Sequence, residues 1–431
     1  MSQTQVAAGD PRAQKAYSVA MFATAQRQPT FTNRMTGPAP QQASAEAKLR
    51  AQTSPNYPIV RVTDLQRKAG DSVTVDLYHT TNGKPIVGDR NAEGKGVPLT
   101  SSTQEIKIDL LTHVIDVGGK MAQKRTSNQL RGIALANMSN YWPRLNDQLS
   151  LIHMSGARGD QAGTDWIVPL PTDPDFGDIV VNALKAPTYN RHYVASGLTL
   201  EQGGLAVASM ASTDVLALEH IDALGAIQSE AEFKLNPIKI TDDPMAEDEP
   251  MYALFVSYKA WNDLQSKTTG QNWRTFIQNA WNRASYGSKH PLFKGATGMW
   301  GNILVKRMDR VVRFNPGSSY KYVAAADRLT ATETTGTIPA FGSGNTVDRC
   351  ILLGGQAMAH VYGESGDSGF YANWQERPYN FKRAMEVMGD MMTGKAKLRF
   401  DYINEDGQKE PTDHGVVVLD VAATKLSTPA T

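Results

Sequence analysis

Apolar and polar side chains alternate with period two along Ser72-Val73-Thr74-Val75-Asp76-Leu77-Tyr78, and again along Glu105-Ile106-Lys107-Ile108-Asp109-Leu110. Both runs are predicted to be half-buried strands. Between them lie Asn82-Gly83, a dipeptide that tolerates the positive φ of a tight turn, and a polar stretch dotted with Gly88, Gly94 and Gly96. The pair reads as a long two-stranded projection with too little apolar surface to fold alone. After Gly118-Gly119 the period changes: Leu130, Ile133, Ala134, Met138, Tyr141, Trp142, Leu145, Leu149 and Ile152 recur at steps of three and four. That spacing lays them on one stripe of a helix roughly 45 Å long, a structural spine ended by Ser155-Gly156. Gln129, Arg131, Asn137, Asn140, Arg144 and Gln148 fall on its polar face, and Pro143 predicts a bend near Ser139.

The rest of the chain alternates between short elements and loops. Gly156 to Gly204 is loop-rich, and a helix is expected from Ser212-Thr213-Asp214 with Val215, Leu218, Ile221 and Leu224 inward. Met251–Val256 reads as a buried strand. Tyr258–Lys267 and Asn272–Arg283 read as helices with Trp261, Leu264, Phe276 and Trp281 as core candidates. Ile303–Val305 and Arg310–Phe314 are predicted strands, Asn315–Asn345 a loop, Cys350–Gly355 a strand into a turn, and Gln356–Tyr362 a helix. Met388–Phe400 and Gly415–Val421 close the chain as strand, loop and buried strand. Residues 1 to about 70 differ from the rest: Gln, Ala, Ser, Thr and Pro dominate. Nine Lys and Arg, among them Arg12, Lys15, Arg27 and Arg34, stand against three acids, a surplus of +6. Two readings fit this composition, an arm reaching onto neighbouring subunits or a polyanion, and a solvated leader.

Composition narrows the chemistry. With 431 residues, a net charge of +1 and 41% apolar content, the chain has enough material for two or three domains and no global field for nucleic acid or membrane. No run of about 18 apolar residues is present to span a membrane. Cys350 is the single cysteine, which excludes an internal disulfide and a cysteine metal cluster and suits a reducing cytoplasm or a particle assembled there. Gly366-Asp367-Ser368-Gly369 matches the nucleophile signature of chymotrypsin-type proteases, yet no histidine lies in that family's setting, so a serine hydrolase built on Ser368 stays a rival reading only. Asp242, Asp243, Glu247, Asp248 and Glu249 lack calcium-loop spacing, and the histidines are scattered singly. No catalytic, cofactor-binding or metal residue is predicted.

Several stretches together resemble one family. They are Tyr78–Arg90, Gln104–Asp109, Gly118–Met121 with Gln123–Thr126, Leu151–Gly159, Pro291–Gly298 and Ile351–Ala357. In order and spacing they are similar to the major capsid proteins of tailed bacteriophages, in particular the N4-like podophage group, from about Val73 onward. The resemblance implies an α+β Hong Kong 97-type fold. It implies an N-terminal arm (1–71), an extended β-hairpin loop (72–105) and a peripheral domain with the spine helix (106–236). An axial domain (237–375) and C-terminal strands returning to the peripheral domain (376–431) complete the expected order. It also implies a non-enzymatic shell protein forming pentamers and hexamers around double-stranded DNA. Its expected partners are a portal and scaffold or decoration proteins, with assembly in the host cytoplasm. Tyr78, Asn82, Gly83, Lys84, Asp89 and Arg90 are then expected at a subunit interface, and Arg12, Lys15, Arg27 and Arg34 on the DNA side. A nanocompartment shell of the same fold is the other reading within this class.

Overall fold

A computed structural model describes residues 11–28, 30–37, 53–63, 71–78, 84–88, 90–96, 100–119, 121, 130–239, 250–286, 298–341, 344–364, 371–381 and 383–425. In chain order the elements begin with helices α1 (Pro11–Arg27) and α2 (Phe31–Met35) and strands β1 (Ile59–Val62), β2 (Ser72–Tyr78), β3 (Ser101–Lys107) and β4 (Asp109–Gly119). Helices α3 (Leu130–Ser155) and α4 (Phe176–Val180) follow, then β5 (His192–Ser196), β6 (Thr199–Gln202), α5 (Leu218–Glu230), β7 (Tyr252–Ser257), α6 (Tyr258–Lys267) and α7 (Gly270–Tyr286). The remainder is strand: β8 (Gly298–Trp300), β9 (Ile303–Met308), β10 (Val312–Phe314), β11 (Ser319–Val323), β12 (Glu333–Thr337), β13 (Thr346–Leu353), β14 (Met358–Tyr362), β15 (Ala372–Tyr379), β16 (Ala384–Lys397), β17 (Arg399–Ile403), β18 (Lys409–Asp413) and β19 (Val416–Ala423).

The larger sheet has eight strands in the order β6-β5-β19-β13-β7-β9-β8, with β10 beside β13. Its centre is the antiparallel pair β13 and β19, in register from Thr346 opposite Ala423 to Leu353 opposite Val416. Every residue of both strands is buried, because both faces are covered. Alternation sends Val347, Ile351, Leu353, Val416 and Val418 to one face, where Met35, Tyr57 and the helix-α3 residues Leu151 and Met154 pack. Cys350, Leu352, Val417 and Leu419 face the other way, onto Leu218, Ile221, Leu224, Ala260, Leu264 and Phe276 of α5, α6 and α7.

The smaller sheet has five strands, β1-β14-β16-β15 with β4 also on β16. The fourteen-residue β16 is its axis. Helix α3, 26 residues and therefore about 39 Å long, lies across this sheet. Trp142, Leu145, Leu149 and Ile152 are buried there with Trp374, Val387 and Met391, while Leu130 and Tyr141 are half-buried. Ile133, placed in the apolar stripe by its spacing, is instead 43% exposed: the sheet reaches only the adjacent positions Ala134 and Met138 in that turn. Gln148, on the expected polar face, is buried, because its amide accepts from the backbone N–H groups of Ile167 (2.7 Å) and Val168 (3.1 Å) and donates to the Asp165 carbonyl (2.6 Å). Pro143 lies within α3 and frees the Ser139 carbonyl one turn earlier; Gln28 of the arm donates its side-chain amide to that oxygen at 3.3 Å. Gly156 ends the helix at φ +68°, and a Cβ there would sit 2.3 Å from the Lys185 carbonyl oxygen.

Other expectations change. The solvated-leader reading fails for the described arm: Met21 and Phe22 of α1 are buried against Tyr362 and Tyr371, and the Trp374 N–H donates to the Ser18 hydroxyl at 2.9 Å. The stretch 356–362 is not a helix: it forms strand β14 from Met358 to Tyr362, because β1 supplies a parallel partner (Ile59 opposite Met358) and β16 an antiparallel one. Residues 315–345 contain the hairpin β11–β12. Helix α5 starts at Leu218, since Asp214 is engaged instead with the N–H groups of Gly197 (3.0 Å) and Ala211 (2.7 Å). Trp281 is 66% exposed on α7, whose buried stripe runs through Phe276 and Ala280. The stretch 376–431 divides between sheets: β16 belongs to the smaller, β19 to the centre of the larger. The acidic residues Asp242 to Glu249 lie outside the described residues.

Leu149→Ala is expected to destabilise the unassembled subunit by about 2–5 kcal/mol, and Ile133→Ala by no more than about 0.5 kcal/mol. Denaturant unfolding of both variants measures the contrast.

Candidate assembly surface and its buried ionic supports

The projection predicted by residues 72–107 is present as the antiparallel pair β2–β3, with Ser72 opposite Lys107 and Tyr78 opposite Ser101. Its base is bound to the subunit. Val73 and Ile106 are buried with Val60, Val361, Leu398 and Phe400, and Val75 and Leu77 pack at the margin of that cluster. Gln104 clamps the base from one side, donating to the Lys397 carbonyl (2.9 Å) and accepting from the Arg399 N–H (2.7 Å). Asn182 clamps the other, accepting from the Lys107 N–H and donating to its carbonyl, both at 2.9 Å. Neither amide carried a sequence signal beyond its residue type, because the partners are backbone groups remote in sequence.

Beyond Tyr78 the projection leaves the body. Tyr78 is 64% and Val87 68% exposed, and Lys84 and Arg90 are exposed as well. Asn82, Gly83 and Asp89 lie outside the described residues. In the arm, Lys15 and Arg34 are exposed; Arg12 and Arg27 fall in α1. Arg34 borders a 310 Å³ pocket that Lys306, Arg310 and Asp147 also line. Burial, then the nearby Arg34 charge, push the Lys306 ammonium down to about 8. The Asp147 carboxylate is turned toward α2, accepting from the N–H groups of Phe31 (3.0 Å) and Thr32 (2.8 Å).

Two buried carboxylates hold the sheets and spine in register. Asp420 in β19 receives a two-pronged contact from Arg349 in β13, both at 2.8 Å, and Arg349 also donates to the Ser155 carbonyl at the end of α3 (3.0 Å). His192 in β5 reaches Asp420 at 2.8 Å through Nε2. Burial would raise the Asp420 carboxyl, but Arg349 outweighs it and holds the group well below the carboxylate range. Burial also keeps His192 below its ordinary value, so near neutral pH it is a neutral imidazole donating to Asp420. This His–Asp pair is fully enclosed and serves the sheet rather than a substrate. Asp413 is held in the same way by Lys397 (2.6 Å) and Arg399 (2.8 Å). Beside it Lys395 donates to Asn146 of α3 (2.6 Å), and burial lowers its ammonium to about 7 against the Asp147 attraction. Among the described residues no group of His, Cys, Asp and Glu is placed to hold a metal ion, and no helix is long and apolar enough to cross a membrane. Ser368 lies outside the described residues.

A family model described as "Phage capsid protein" matches residues 5–425. The chain belongs to that family. The major capsid protein of Pseudomonas phage KPP25 is 24% identical over 382 residues, covering 86% of this chain and 89% of that one. Among solved structures, the capsid of Ralstonia phage GP4 is similar at TM-score 0.67 and 26% identity, covering 87% of this chain and 90% of that one. The cyanophage Pam1 capsid is similar at TM-score 0.56 and 16% identity, with 86% and 90% covered. The α+β fold is therefore the Hong Kong 97-type capsid fold expected from the sequence. This capsid protein is structural rather than enzymatic, its place is the virion shell, and it acts as an oligomer. The hydrolase reading built on Ser368 is set aside accordingly.

The buried lysine sets a pH dependence. Unfolded Lys395 holds its proton up to about 10.4, whereas folded Lys395 loses it near 7. Between these values the unfolded chain binds more protons, so subunit stability rises with pH across that window and is lowest below it. Lys395→Met is expected to flatten this rise, leaving the part contributed by Lys397 and Lys306, both lowered to about 8. Urea unfolding of the unassembled subunit at pH 7 and pH 9.5 measures the difference.

Proposed function

We propose that this chain is a major capsid protein whose copies form the pentamers and hexamers of an icosahedral shell enclosing double-stranded DNA. The observation that carries this reading is the β2–β3 projection. Its base is fixed by Gln104, Asn182, Val73 and Ile106, while its distal part exposes Tyr78, Ile86 and Val87. A fixed lever with an apolar end gains by lying across a neighbouring subunit, where each 1,000 Å² of apolar burial contributes roughly 25 kcal/mol gross before the ordering cost of association. Tyr78, Lys84 and Arg90 are the contacts expected there, together with Asn82, Gly83 and Asp89.

The five-stranded sheet with α3 supports the peripheral role. The eight-stranded sheet with α5 to α7 supports the axial one, which moves β19 from the expected returning strands to the axial unit. Arg34 beside Lys306 and Arg310 supports a phosphate-facing arm shared with Arg12, Lys15 and Arg27, binding DNA without sequence preference. A portal, and scaffold or decoration proteins, complete the particle, assembled in the host cytoplasm.

Replacing residues 79–100 with a two-residue Asn-Gly turn is expected to leave a folded subunit with native circular dichroism that forms no closed shells by negative-stain microscopy. Closed shells of normal size from that variant would remove the projection from the assembly mechanism.

A further inference from the structure

Lys395 in β16 and Asn146 in α3 meet inside the subunit. Lys395 Nζ donates to Asn146 Oδ1 at 2.6 Å, across 249 positions of sequence, and both side chains are buried. Lys397, two positions along the same face of the strand, meets the Asp413 carboxylate directly at 2.6 Å. Lys395 has a neutral amide in that place. An enclosed ammonium is poorly served by such a partner, and burial favours the free amine. The charged and titratable groups around Nζ do not reverse this. His153 on α3 and His360, opposite Lys395 on β14, are kept uncharged near neutral pH by burial. Arg61 on β1 donates to Gln26. Asp147 is the carboxylate whose charge acts on Lys395, and its oxygens already accept from the N–H groups of Phe31 and Thr32.

We propose that Lys395 and Asn146 close an isopeptide bond within the subunit, joining the axis of the smaller sheet to the spine helix. With a carbonyl bond of about 1.23 Å behind the 2.6 Å contact, Asn146 Cγ lies roughly 3–4 Å from Nζ, at near-attack range. The neutral amine adds to Cγ, the Cγ–Nδ2 bond breaks, and Nδ2 leaves as ammonia with the proton that Nζ gives up. One amide is exchanged for another, and the reaction balances without oxidant or co-reactant. Burial raises the Asp147 carboxyl above its ordinary value, against the hydrogen bonds from Thr32 and Phe31 and the attraction of Lys395. Asp147 is thereby suited to take the proton from Nζ and return it to Nδ2. The pH dependence described for Lys395 belongs to the open subunit, since a closed one has no Lys395 ammonium to form.

Mass spectrometry of the full-length chain, purified at about pH 5 and then aged at about pH 9, tests the bond. The aged chain is expected to lose about 17 Da, one ammonia, and to yield on tryptic digestion a branched peptide joining the segments that carry Asn146 and Lys395. Because the amine attacks and Lys395 titrates at about 7, closure is expected on the order of a hundred-fold slower at about pH 5 than at about pH 9. An unchanged mass overturns the proposal. So does a loss of ammonia without the branched peptide, which places the change at another amide. Lys395→Met is expected to abolish the loss, and its persistence in that variant refutes the assignment. Asp147→Asn keeps an oxygen for the N–H groups of α2 and is expected to slow closure about ten-fold or more; closure at the parent's rate removes Asp147 from the reaction. The branched peptide is sought in the parent chain itself, so the result stands even where a variant fails to fold.

Discussion

Arg349 is the side chain that the two halves of the molecule share. Its guanidinium lies between the central strands of the larger sheet and the end of the spine helix, with no solvent to screen it. An isolated charge in that setting is prohibitively costly, so Asp420 must be opposite it and the Ser155 carbonyl must be within reach. Those two requirements fix the register of β13 on β19 and the position of α3 over the sheet at once. The second cluster, Asp413 with Lys397 and Arg399, does the same where β16 and β17 turn beneath the projection. Replacing either set by apolar residues of equal volume need not weaken the fold, but removing one partner does. The charges therefore specify one arrangement among several that hydrophobic burial alone would tolerate.

That specification transmits outward. Lys397 presents its carbonyl to Gln104 and its ammonium to Asp413, so the clamp on the projection is continuous with the buried ions. The arm enters the same framework through Gln28 at the carbonyl freed by Pro143 and through Asp147 at α2. An element that looked detachable by composition is built into the spine because the spine leaves backbone groups that it satisfies.

How much of this was legible in the sequence depends on how local the cause is. The period-two run at 72–78, the continuous apolar run at 251–256 and the three–four spacing from Leu130 to Ile152 are local, and each became the element it predicts. Spacing alone could not tell that the sheet stops short of Ile133 or that Trp281 faces outward, since both depend on where a partner surface ends. Residues 356–362 have a pattern compatible with either element, and β1, some 300 positions earlier, decides for strand. Buried Gln104 and Gln148, and the partly exposed Asn182, were illegible for the same reason: an amide that serves distant backbone looks like a surface residue in one dimension. The motif order that suggested the capsid family survived these errors because it samples many positions at once.

The placement of β19 has a consequence for synthesis. A nascent chain is extruded from its N-terminus, and β5 and β13 are made long before Val416–Ala423, the strand that sits between them. Until that strand emerges, the larger sheet has an empty slot flanked by two unpaired edges, and Arg349 has no counter-ion. Closing such a distant pairing is slow, and chains halted short of it expose sticky edges. A competent building block therefore exists only after Val416–Ala423 has left the ribosome, and products interrupted before it are left for chaperones and proteases rather than for the growing particle.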